Sequence, residues 1–285
     1  MRRAVSAAID NYVYTSVYLL SMSNGFSTVE LAERKAIVTG GASGIGKATA
    51  IAMAGAGADV VVTDIDEDGG AQVAADIGGS FAMLDVSDPS AWDRVVSTAG
   101  PFDIAFLNAG ISTNQGLPRT EGDPISALTD DAYRRIMSIN LDGVVYGARA
   151  VLPGMTERGS GDIIATASMA GLFPISLDPV YGLTKHGVVG FVRSLGNYFE
   201  STDGAPDICV SALCPAFTDT NIIGEELRAV LDTFEVEIMP VDHVAGVVMR
   251  MLAERKPGSQ WAVEPGHEPY VFEWPATKTL GQDQE

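Results

Sequence analysis

The chain has 285 residues, of which 46% are hydrophobic, and this is enough for one sizeable core in a single α/β domain. Its 37 acidic and 18 basic side chains give a formal net charge of −19, which argues against nucleic acid as a partner because the field repels phosphate backbones. Cys209 and Cys214 are too few for a disulfide framework and are interpreted as small buried hydrophobes. Three histidines without HExxH or CxxC spacing predict no metal site.

The first residues precede the point at which the fold is expected to begin. Basic residues at positions 2 and 3 resemble the start of a signal peptide, but Asp10 and Asn11 interrupt the apolar stretch. Segment 12–22 is too short to span a bilayer. We expect a cytoplasmic protein with no membrane partner. Residues 1–30 are interpreted as an unstructured extension or an over-long gene prediction, with a targeting element as the alternative, followed by one domain at 31–266 and a tail at 267–285.

Apolar runs and helical periods then alternate along the chain. In chain order, the first half is predicted to contain strand 35–39, helix 44–57, strand 58–63, helix 66–77, strand 80–84, helix 87–99 with Ser87 as its N-cap, and strand 102–107. The second half continues with helix 129–155, strand 162–167, helix 179–200, strand 207–213, helices 221–235 and 241–253, and strand 260–263. Unbroken Val/Ile/Ala strands separated by helices predict a doubly wound (Rossmann) α/β fold, with helices on both faces of a seven-stranded parallel sheet.

A glycine-rich loop from Thr39 to Gly46 follows the first strand and opens the first helix, the context in which such a loop binds a dinucleotide. Gly40 permits the tight turn, Gly44 lets the backbone approach a pyrophosphate, and Gly46 allows close packing of helix on strand. The N-terminus of the helix then faces the phosphates. Taken alone, the loop also fits a merely structural turn.

Asp64 ends the second strand, 18 residues after Gly46, where an acidic group accepts hydrogen bonds from the adenosine ribose hydroxyls. The same carboxylate repels a 2′-phosphate, and neither Ser43 nor Ile65 supplies a cation to bind one. The sequence therefore predicts NAD in preference to NADP. The alternative for Asp64 is a strand-end cap.

Tyr181 and Lys185 lie one helical turn apart, 13 positions after Ser168. Residues at i and i+4 share one helix face, so the ammonium is expected near the phenol. An unperturbed Tyr titrates near pH ~10, and a neighbouring cation is expected to lower that pKa. Such a pair moves a proton on and off a substrate oxygen. With the glycine loop, it predicts an oxidoreductase.

Together these motifs resemble the short-chain dehydrogenase/reductase family over residues 35–266. In order, they are the TGxxxGIG-type loop at 39–46, the acidic Asp64, Asp85-Val86, Asn108-Ala109-Gly110, Asn140, Ser168, the YxxxK pair Tyr181 and Lys185, and Pro215 to Thr220. One position departs from the pattern, since Ala216 stands where the family usually has Gly. We expect its methyl group to crowd the nicotinamide pocket or to alter the loop.

The resemblance implies a role for each residue of this tetrad. Tyr181 is the acid/base, Lys185 lowers its pKa and bonds the nicotinamide ribose, and Ser168 donates to the reacting oxygen. Asn140 holds a water that links Lys185 to solvent. The cofactor contacts implied are Gly40, Ser43, Gly44, Ile45, Gly46, Asp64, Ile65, Asp85, Val86, Asn108, Ala109, Gly110, Tyr181, Lys185, Pro215, Thr218 and Thr220. Ser168 as a strand-end hydroxyl and Asn140 as an ordinary polar helix residue are the alternatives.

The substrate pocket is expected to be apolar. Segment 169–174, Ile111 and Phe217 are apolar, and no Arg is close in sequence to clamp a carboxylate. The small-molecule substrate favoured is an uncharged, moderately hydrophobic secondary alcohol or ketone, although these groups also fit simple core packing. We predict an NAD-dependent oxidoreductase. The alternatives are an NADP-dependent carbonyl reductase, disfavoured by Asp64, and a non-catalytic dinucleotide-sensing protein, disfavoured by the complete tetrad.

The resemblance also implies a homo-oligomer, a tetramer or a dimer, built on the helices that contain Asn140 and Tyr181. Their apolar positions are Leu141, Val144, Val145, Ala148, Leu152, Val188, Val189, Val192 and Leu195. Burial of these side chains beneath loops is the alternative. The tail, with Tyr270, Phe272 and Trp274, is expected to add a second interface or to reach a neighbouring subunit's active-site mouth.

Overall fold

A single sheet forms the centre of the protein. The computed structural model describes residues 29–113, 123–126, 128–176 and 178–275. Within them the strands are β1 (Lys35–Thr39), β2 (Asp59–Asp64), β3 (Ser80–Met83), β4 (Ile104–Leu107), β5 (Ser160–Thr166), β6 (Asp207–Pro215), β7 (Gln260–Val263) and β8 (Tyr270–Val271). Their order in the sheet is β3-β2-β1-β4-β5-β6-β7-β8. Strands β1 to β7 are parallel, and β8 runs antiparallel to β7.

Helices cover both faces of this sheet. The helices are α1 (Gly44–Gly55), α2 (Glu67–Ile77), α3 (Pro89–Ala99), α4 (Asp130–Met137), α5 (Gly143–Arg158), α6 (Pro179–Ser201), α7 (Glu225–Thr233) and α8 (Val241–Glu254). Side chains of α1, α2 and α8 share one hydrophobic cluster with the sheet, and those of α3, α5 and α6 share the other. The predicted doubly wound α/β fold is therefore confirmed.

The second strand shows why unbroken apolar runs predict this arrangement. Val61 belongs to the cluster under α3, α5 and α6, whereas Val60 and Val62 belong to the cluster under α1, α2 and α8. All three side chains are buried, because successive side chains of a strand point to opposite faces and both faces are covered.

The long helix predicted at 129–155 is interrupted. A π-helical segment at Ser138–Asp142 separates α4 from α5, and α5 continues to Arg158, where Gly159 ends it at φ 80°. Glycine adopts this left-handed conformation without steric cost. A π segment adds one residue to a turn without changing the apolar pattern strongly, so the sequence period did not reveal it.

Three predicted helix boundaries also change. Asp88, rather than Ser87, caps α3 by accepting a hydrogen bond from the Ser90 N–H (2.8 Å), and Pro89 occupies the first helical position. The Ser87 hydroxyl instead donates to Asp85 (2.7 Å). The first helix ends at Gly55 and not at residue 57, and α7 is shorter than the predicted 221–235 because a turn precedes it.

The apolar tail packs on its own chain. Tyr270–Val271 adds an eighth strand beside β7, one more than predicted, because a two-residue strand has no readable period. Beyond it, the Trp274 indole N–H donates to Gln260 Oε1 (2.6 Å), and Phe272 lies edge-on against Phe173, with 5.5 Å between the ring centroids. Phe272 and Trp274 thus have partners within their own chain, whereas Tyr270 is 40% exposed.

Most of the apolar positions proposed for an oligomer interface also lie inside the chain. Val144, Ala148, Val188, Val189 and Val192 are all buried in the cluster under α3, α5 and α6. Leu141, Leu152 and Leu195 are partly buried against that same cluster. These residues therefore stabilise the monomer, and they are not evidence for a second subunit.

At the N-terminus, residues 1–28 of the predicted extension lie outside the described residues. Leu31 is fully buried, and its backbone N–H donates to the Ala56 carbonyl (2.9 Å), while Val29 packs against the same cluster. The folded domain thus includes residues 29 and 30. None of the helices in the described ranges combines the length and hydropathy needed to cross a membrane.

Candidate active site

Most of the predicted site residues follow the carboxyl ends of β1, β4, β5 and β6, which are neighbours at the centre of the sheet. The chain leaves β1 toward β2 on one side, and β4 lies on the other side of β1. This is the topological switch point at which open α/β sheets bind ligands. The loops after these strands therefore form the candidate site.

The glycine loop is shaped by close backbone approaches. Gly40 has φ +64°, and a Cβ atom at Gly46 would overlap the Gly40 carbonyl oxygen. At Gly44, with φ +53°, a Cβ atom would lie 3.1 Å from Thr220 Cγ2, so Thr220 is beside the loop. The N-cap residue Ser43 makes no side-chain capping bond to α1. The first N–H groups of the helix are thus available to an anion, and a dinucleotide pyrophosphate fits this cradle.

Asp64 is linked directly to the glycine loop. Its Oδ2 accepts from the Ala42 N–H and its Oδ1 from the Asp66 N–H, both at 3.0 Å. The neighbouring Ile65 side chain is 64% exposed. Asp64 is therefore a strand-end cap, and the bond to Ala42 also fixes its carboxylate at the rim of the dinucleotide cradle.

Asp85 and Val86, which follow β3 and were both expected to contact the cofactor, differ in exposure. Asp85 is exposed, and its Oδ1 accepts from the backbone N–H and the hydroxyl of Ser87. Val86 is buried in the core, and its carbonyl accepts from the Trp92 indole N–H (3.1 Å). The Val86 side chain is thus part of the packing beneath the site.

Asn108-Ala109-Gly110 joins three strands. The Thr39 hydroxyl accepts from the N–H groups of Asn108 (2.8 Å) and Ala109 (3.0 Å), and the Asn108 amide accepts from the Thr166 hydroxyl (3.0 Å). A Cβ atom at Gly110 would lie 3.5 Å from Lys185 Nζ. This stretch stabilises the sheet and also lies beside the lysine.

Ser168, Tyr181 and Lys185 come together at the ends of β5 and β6. Lys185 is 3% exposed, and its Nζ donates to the Thr166 carbonyl (2.7 Å) and lies 5.6 Å from the centroid of the Tyr181 ring. The Ser168 side chain lies close enough to the Tyr181 phenol to lower its pKa. A serine and a lysine thus flank one partly buried tyrosine.

Burial dominates the pKa of both titratable groups. It raises the pKa of Tyr181 to about 12, with a smaller increase from Asp178, and it lowers the pKa of Lys185 to about 8. The expected lowering of the Tyr181 pKa is therefore wrong for the protein by itself. Removal of both groups from water disfavours both charges, and for Tyr181 this effect exceeds the lowering that comes from Ser168.

Asn140 lies in the π-helical segment and is 1% exposed. Its Oδ1 accepts from the Ile111 N–H and its Nδ2 donates to the Ile111 carbonyl, both at 2.8 Å. The same Nδ2 also donates to the Thr184 hydroxyl (3.2 Å). The Asn140 side chain thus holds the segment after β4 against α6.

The segment after β6 brings Pro215, Thr218 and Thr220 to the same edge. The Ser168 hydroxyl donates to the Pro215 carbonyl (3.4 Å), and the Thr218 hydroxyl donates to the Ala216 carbonyl (3.0 Å). Ala216 packs against the hydrophobic cluster that includes α8. The methyl group of Ala216 therefore packs in the core, where it has room without crowding the nicotinamide pocket.

Comparison with known proteins identifies this arrangement. A family model described as short chain dehydrogenase matches residues 34–231, more than half of the chain. The chain belongs to the short-chain dehydrogenase family. The family assignment and the prediction of an enzyme that acts on CH–OH groups are confirmed, and members of this family use a nicotinamide cofactor.

Several relatives have named activities. The chain is 35% identical to 2-keto-3-deoxy-L-fuconate dehydrogenase of Xanthomonas campestris over 69% of its length, but spans only 62% of that protein. It is 31% identical to cyclohexanol dehydrogenase of Acinetobacter, covering 85% of this chain and 96% of the relative. A dehydrogenase of this type from Mycobacterium marinum has a solved structure with a TM-score of 0.71 and 26% identity, covering 83% of this chain and 96% of that one.

Two residues of this short-chain dehydrogenase were missed from the sequence. Thr166 supplies the carbonyl that holds Lys185 and the hydroxyl that holds Asn108. Asp178 caps α6 and reaches the segment after β4. Asp178 before Pro179 is a readable N-cap signal, but its second partner lies 65 residues away in sequence.

Proposed function

We propose that the protein is an NAD-dependent dehydrogenase of uncharged, moderately hydrophobic secondary alcohols, or a reductase of the matching ketones, with Tyr181 as acid/base. The observation that carries the proposal is the Tyr181 phenol flanked by Ser168 and by the Lys185 ammonium. When bound, NAD supplies the hydride acceptor at C4 of its nicotinamide ring.

The side chains of this site have complementary tasks in the proposed reaction. Tyr181 exchanges a proton with the substrate oxygen, and the Ser168 hydroxyl donates to that oxygen as its charge develops. The Thr166 carbonyl fixes Lys185 Nζ beside the phenol, where its charge favours the phenolate. With a pKa near 12, the free protein holds Tyr181 as the neutral phenol at neutral pH, ready to donate to a carbonyl oxygen. Alcohol oxidation requires the phenolate, so its rate is expected to rise with pH.

Asp64 supports NAD as the cofactor. Its carboxylate is fixed at the rim of the glycine loop, where it would accept ribose hydroxyl bonds and repel a 2′-phosphate. The Sphingomonas relative, 34% identical over 73% of this chain and 81% of its own length, is named as an NAD(+) enzyme. NADP-dependent carbonyl reduction is the second candidate within this class, and Asp64 disfavours it.

The substrate class rests on the charges of the segments that follow β5 and β6. The helix after β6 begins with exposed Glu225 and Glu226, and Asp178 lies close enough to Tyr181 to raise its pKa. These carboxylates disfavour an anionic substrate. Cyclohexanol, the substrate in the name of one relative, is uncharged and of moderate size.

The test is a panel of cyclohexanol, other uncharged secondary alcohols and hydroxy acids, with NAD and with NADP, followed by nicotinamide absorbance. We expect the highest kcat/KM for an uncharged alcohol with NAD. Asp64→Ala should shift the NAD/NADP ratio toward NADP by on the order of tenfold, since it removes charge-assisted hydrogen bonds. Asp59→Ala at the other end of β2 makes the same charge change and should leave the ratio unaltered. A wild-type preference for NADP, or for an acid, would overturn that part of the proposal.

A further inference from the structure

Asp178 is a buried carboxylate that the proposed reaction does not use. It is 6% exposed and caps the N-terminus of α6, three residues before Tyr181. Its Oδ1 accepts from the Tyr181 N–H (3.0 Å). Its Oδ2 accepts from both the backbone N–H (3.1 Å) and the hydroxyl (2.7 Å) of Thr113. Each oxygen of the carboxylate therefore binds a different element of the site.

Thr113 ends a short segment that is held at both ends. Asn140 binds Ile111 through its N–H and its carbonyl, and Asp178 binds Thr113 two residues later. Asn140 also contacts Thr184 of α6. Segment 111–113, which follows the Asn108-Ala109-Gly110 stretch, is thus fixed to the helix that carries Tyr181.

Helix capping alone does not account for a carboxylate at this position. Asp88 also caps a helix with a carboxylate, but its side chain is 45% exposed, whereas Asp178 is 6% exposed. Burial of a carboxylate costs much more than burial of a hydroxyl unless its hydrogen bonds are satisfied. Here the added hydrogen bonds come from Thr113, so the charged carboxylate joins α6 to segment 111–113.

The charge also acts on the phenol. The groups that affect the Tyr181 hydroxyl are Ser168 after β5, Cys214 from β6 and Asp178, with Lys185 Nζ close to the ring. Burial is the largest cause of the raised Tyr181 pKa, and Asp178 raises it further. Neutralisation of Asp178 should therefore lower the Tyr181 pKa.

We propose that Asp178 is a positioning residue that fixes the first turn of α6 to segment 111–113 and so sets the place of the Tyr181 phenol. This inference rests on the proposed role of Tyr181 as acid/base. Asp178 acts through Tyr181 and Thr113, and its charge adds to the effect of burial in disfavouring the phenolate.

The first test needs no substrate. Tyrosinate formation is titrated by ultraviolet absorbance in the full-length wild type and in Asp178→Asn, which keeps a capping oxygen but removes the charge. One tyrosine transition should move to lower pH in Asp178→Asn, and the shift should vanish when Tyr181→Phe is combined with it. Asp88→Asn makes the same change at the N-cap of α3 and should leave the titration as in wild type. An unmoved transition in Asp178→Asn would show that the carboxylate does not control the phenol.

The second test measures turnover of cyclohexanol with NAD. On the plateau of the pH profile, Asp178→Asn should lower kcat roughly tenfold, because it weakens hydrogen bonds to a charged group, while KM for NAD stays constant. The acid limb of its pH profile should move to lower pH. Thr113→Val should lower kcat without that pH shift, because Asp178 keeps its charge, and Thr113→Ser should rescue the loss. If Asp178→Asn does not fold, the comparison of Thr113→Val with Thr113→Ser tests the proposal.

The outcomes separate this inference from the proposed function. If Tyr181→Phe is inactive while both Asp178→Asn and Thr113→Val keep the wild-type kcat, only the role of Asp178 is overturned. Undiminished kcat in Tyr181→Phe would overturn the acid/base assignment itself, whatever the Asp178 variant does.

Discussion

Lys185→Met gives a prediction about stability as well as activity. Lys185 is 3% exposed, and burial lowers its pKa from 10.5 to about 8. Between these two pH values the unfolded chain binds more protons than the folded protein, so the wild type gains stability as the pH rises. Met has a similar length and no charge, and the variant lacks this gain.

The size of the effect follows from the pKa shift. One pKa unit corresponds to ~1.4 kcal/mol, so the full difference is roughly 3 kcal/mol, of which on the order of 2 kcal/mol develops between about pH 7.5 and 9.5. Over that range the free energy of unfolding of wild type should rise by this amount relative to Lys185→Met. Because the raised Tyr181 pKa lies above this window, that residue contributes equally to both proteins.

Urea unfolding followed by circular dichroism at several pH values measures this difference. Lys47→Met, which replaces an exposed lysine of α1, serves as the control and should give a curve parallel to wild type. Activity of Lys185→Met should fall by ~10²-fold or more, since the charge beside the phenol is lost. Parallel stability curves for wild type and Lys185→Met would refute the view that this ammonium is held in a water-excluded site.

Three further outcomes are expected. Gly46→Ala should destabilise the protein by ~1–3 kcal/mol and abolish NAD binding, because its Cβ atom would overlap the Gly40 carbonyl oxygen. Gly55→Ala, where a Cβ atom meets nothing within 4 Å, is the control. A Gly46→Ala variant that melts at the same temperature as the Gly55→Ala variant would contradict this account. A chain beginning at Met22 keeps the buried Leu31, so its melting temperature and activity should match the full chain, and loss of soluble protein would show that residues 1–21 pack. Light scattering coupled to size exclusion tests the homo-oligomer that the family resemblance implies, and a stable micromolar monomer would contradict that expectation.

Local patterns were sufficient for the sheet and for the position of each motif. Asp64 was predicted from its place at the end of a buried Val run, and the structure brings its carboxylate to the glycine loop. The pairing of Tyr181 with Lys185 followed from their i, i+4 spacing. Residues at strand ends are predictable in this way because parallel strands bring their carboxyl ends to one edge.

Long-range contacts and burial were not readable in the same way. The direction of the Tyr181 pKa shift was wrong because helical spacing does not report how deeply a phenol is buried. Asp178 was missed because Thr113, its partner, is 65 residues away. Val188 and Val192 were assigned to an interface because an apolar helix stripe looks the same whether it packs on its own sheet or on another subunit.

Tyr181→Phe tests the central claim most directly. The substitution removes only the phenolic oxygen and leaves the ring in place. Turnover of the best substrate with NAD should fall by ~10²–10⁴-fold, the contribution of general acid–base catalysis, while the Kd for NAD measured by fluorescence stays the same. A variant that retains more than about a tenth of the wild-type kcat would contradict Tyr181 as the group that exchanges the proton.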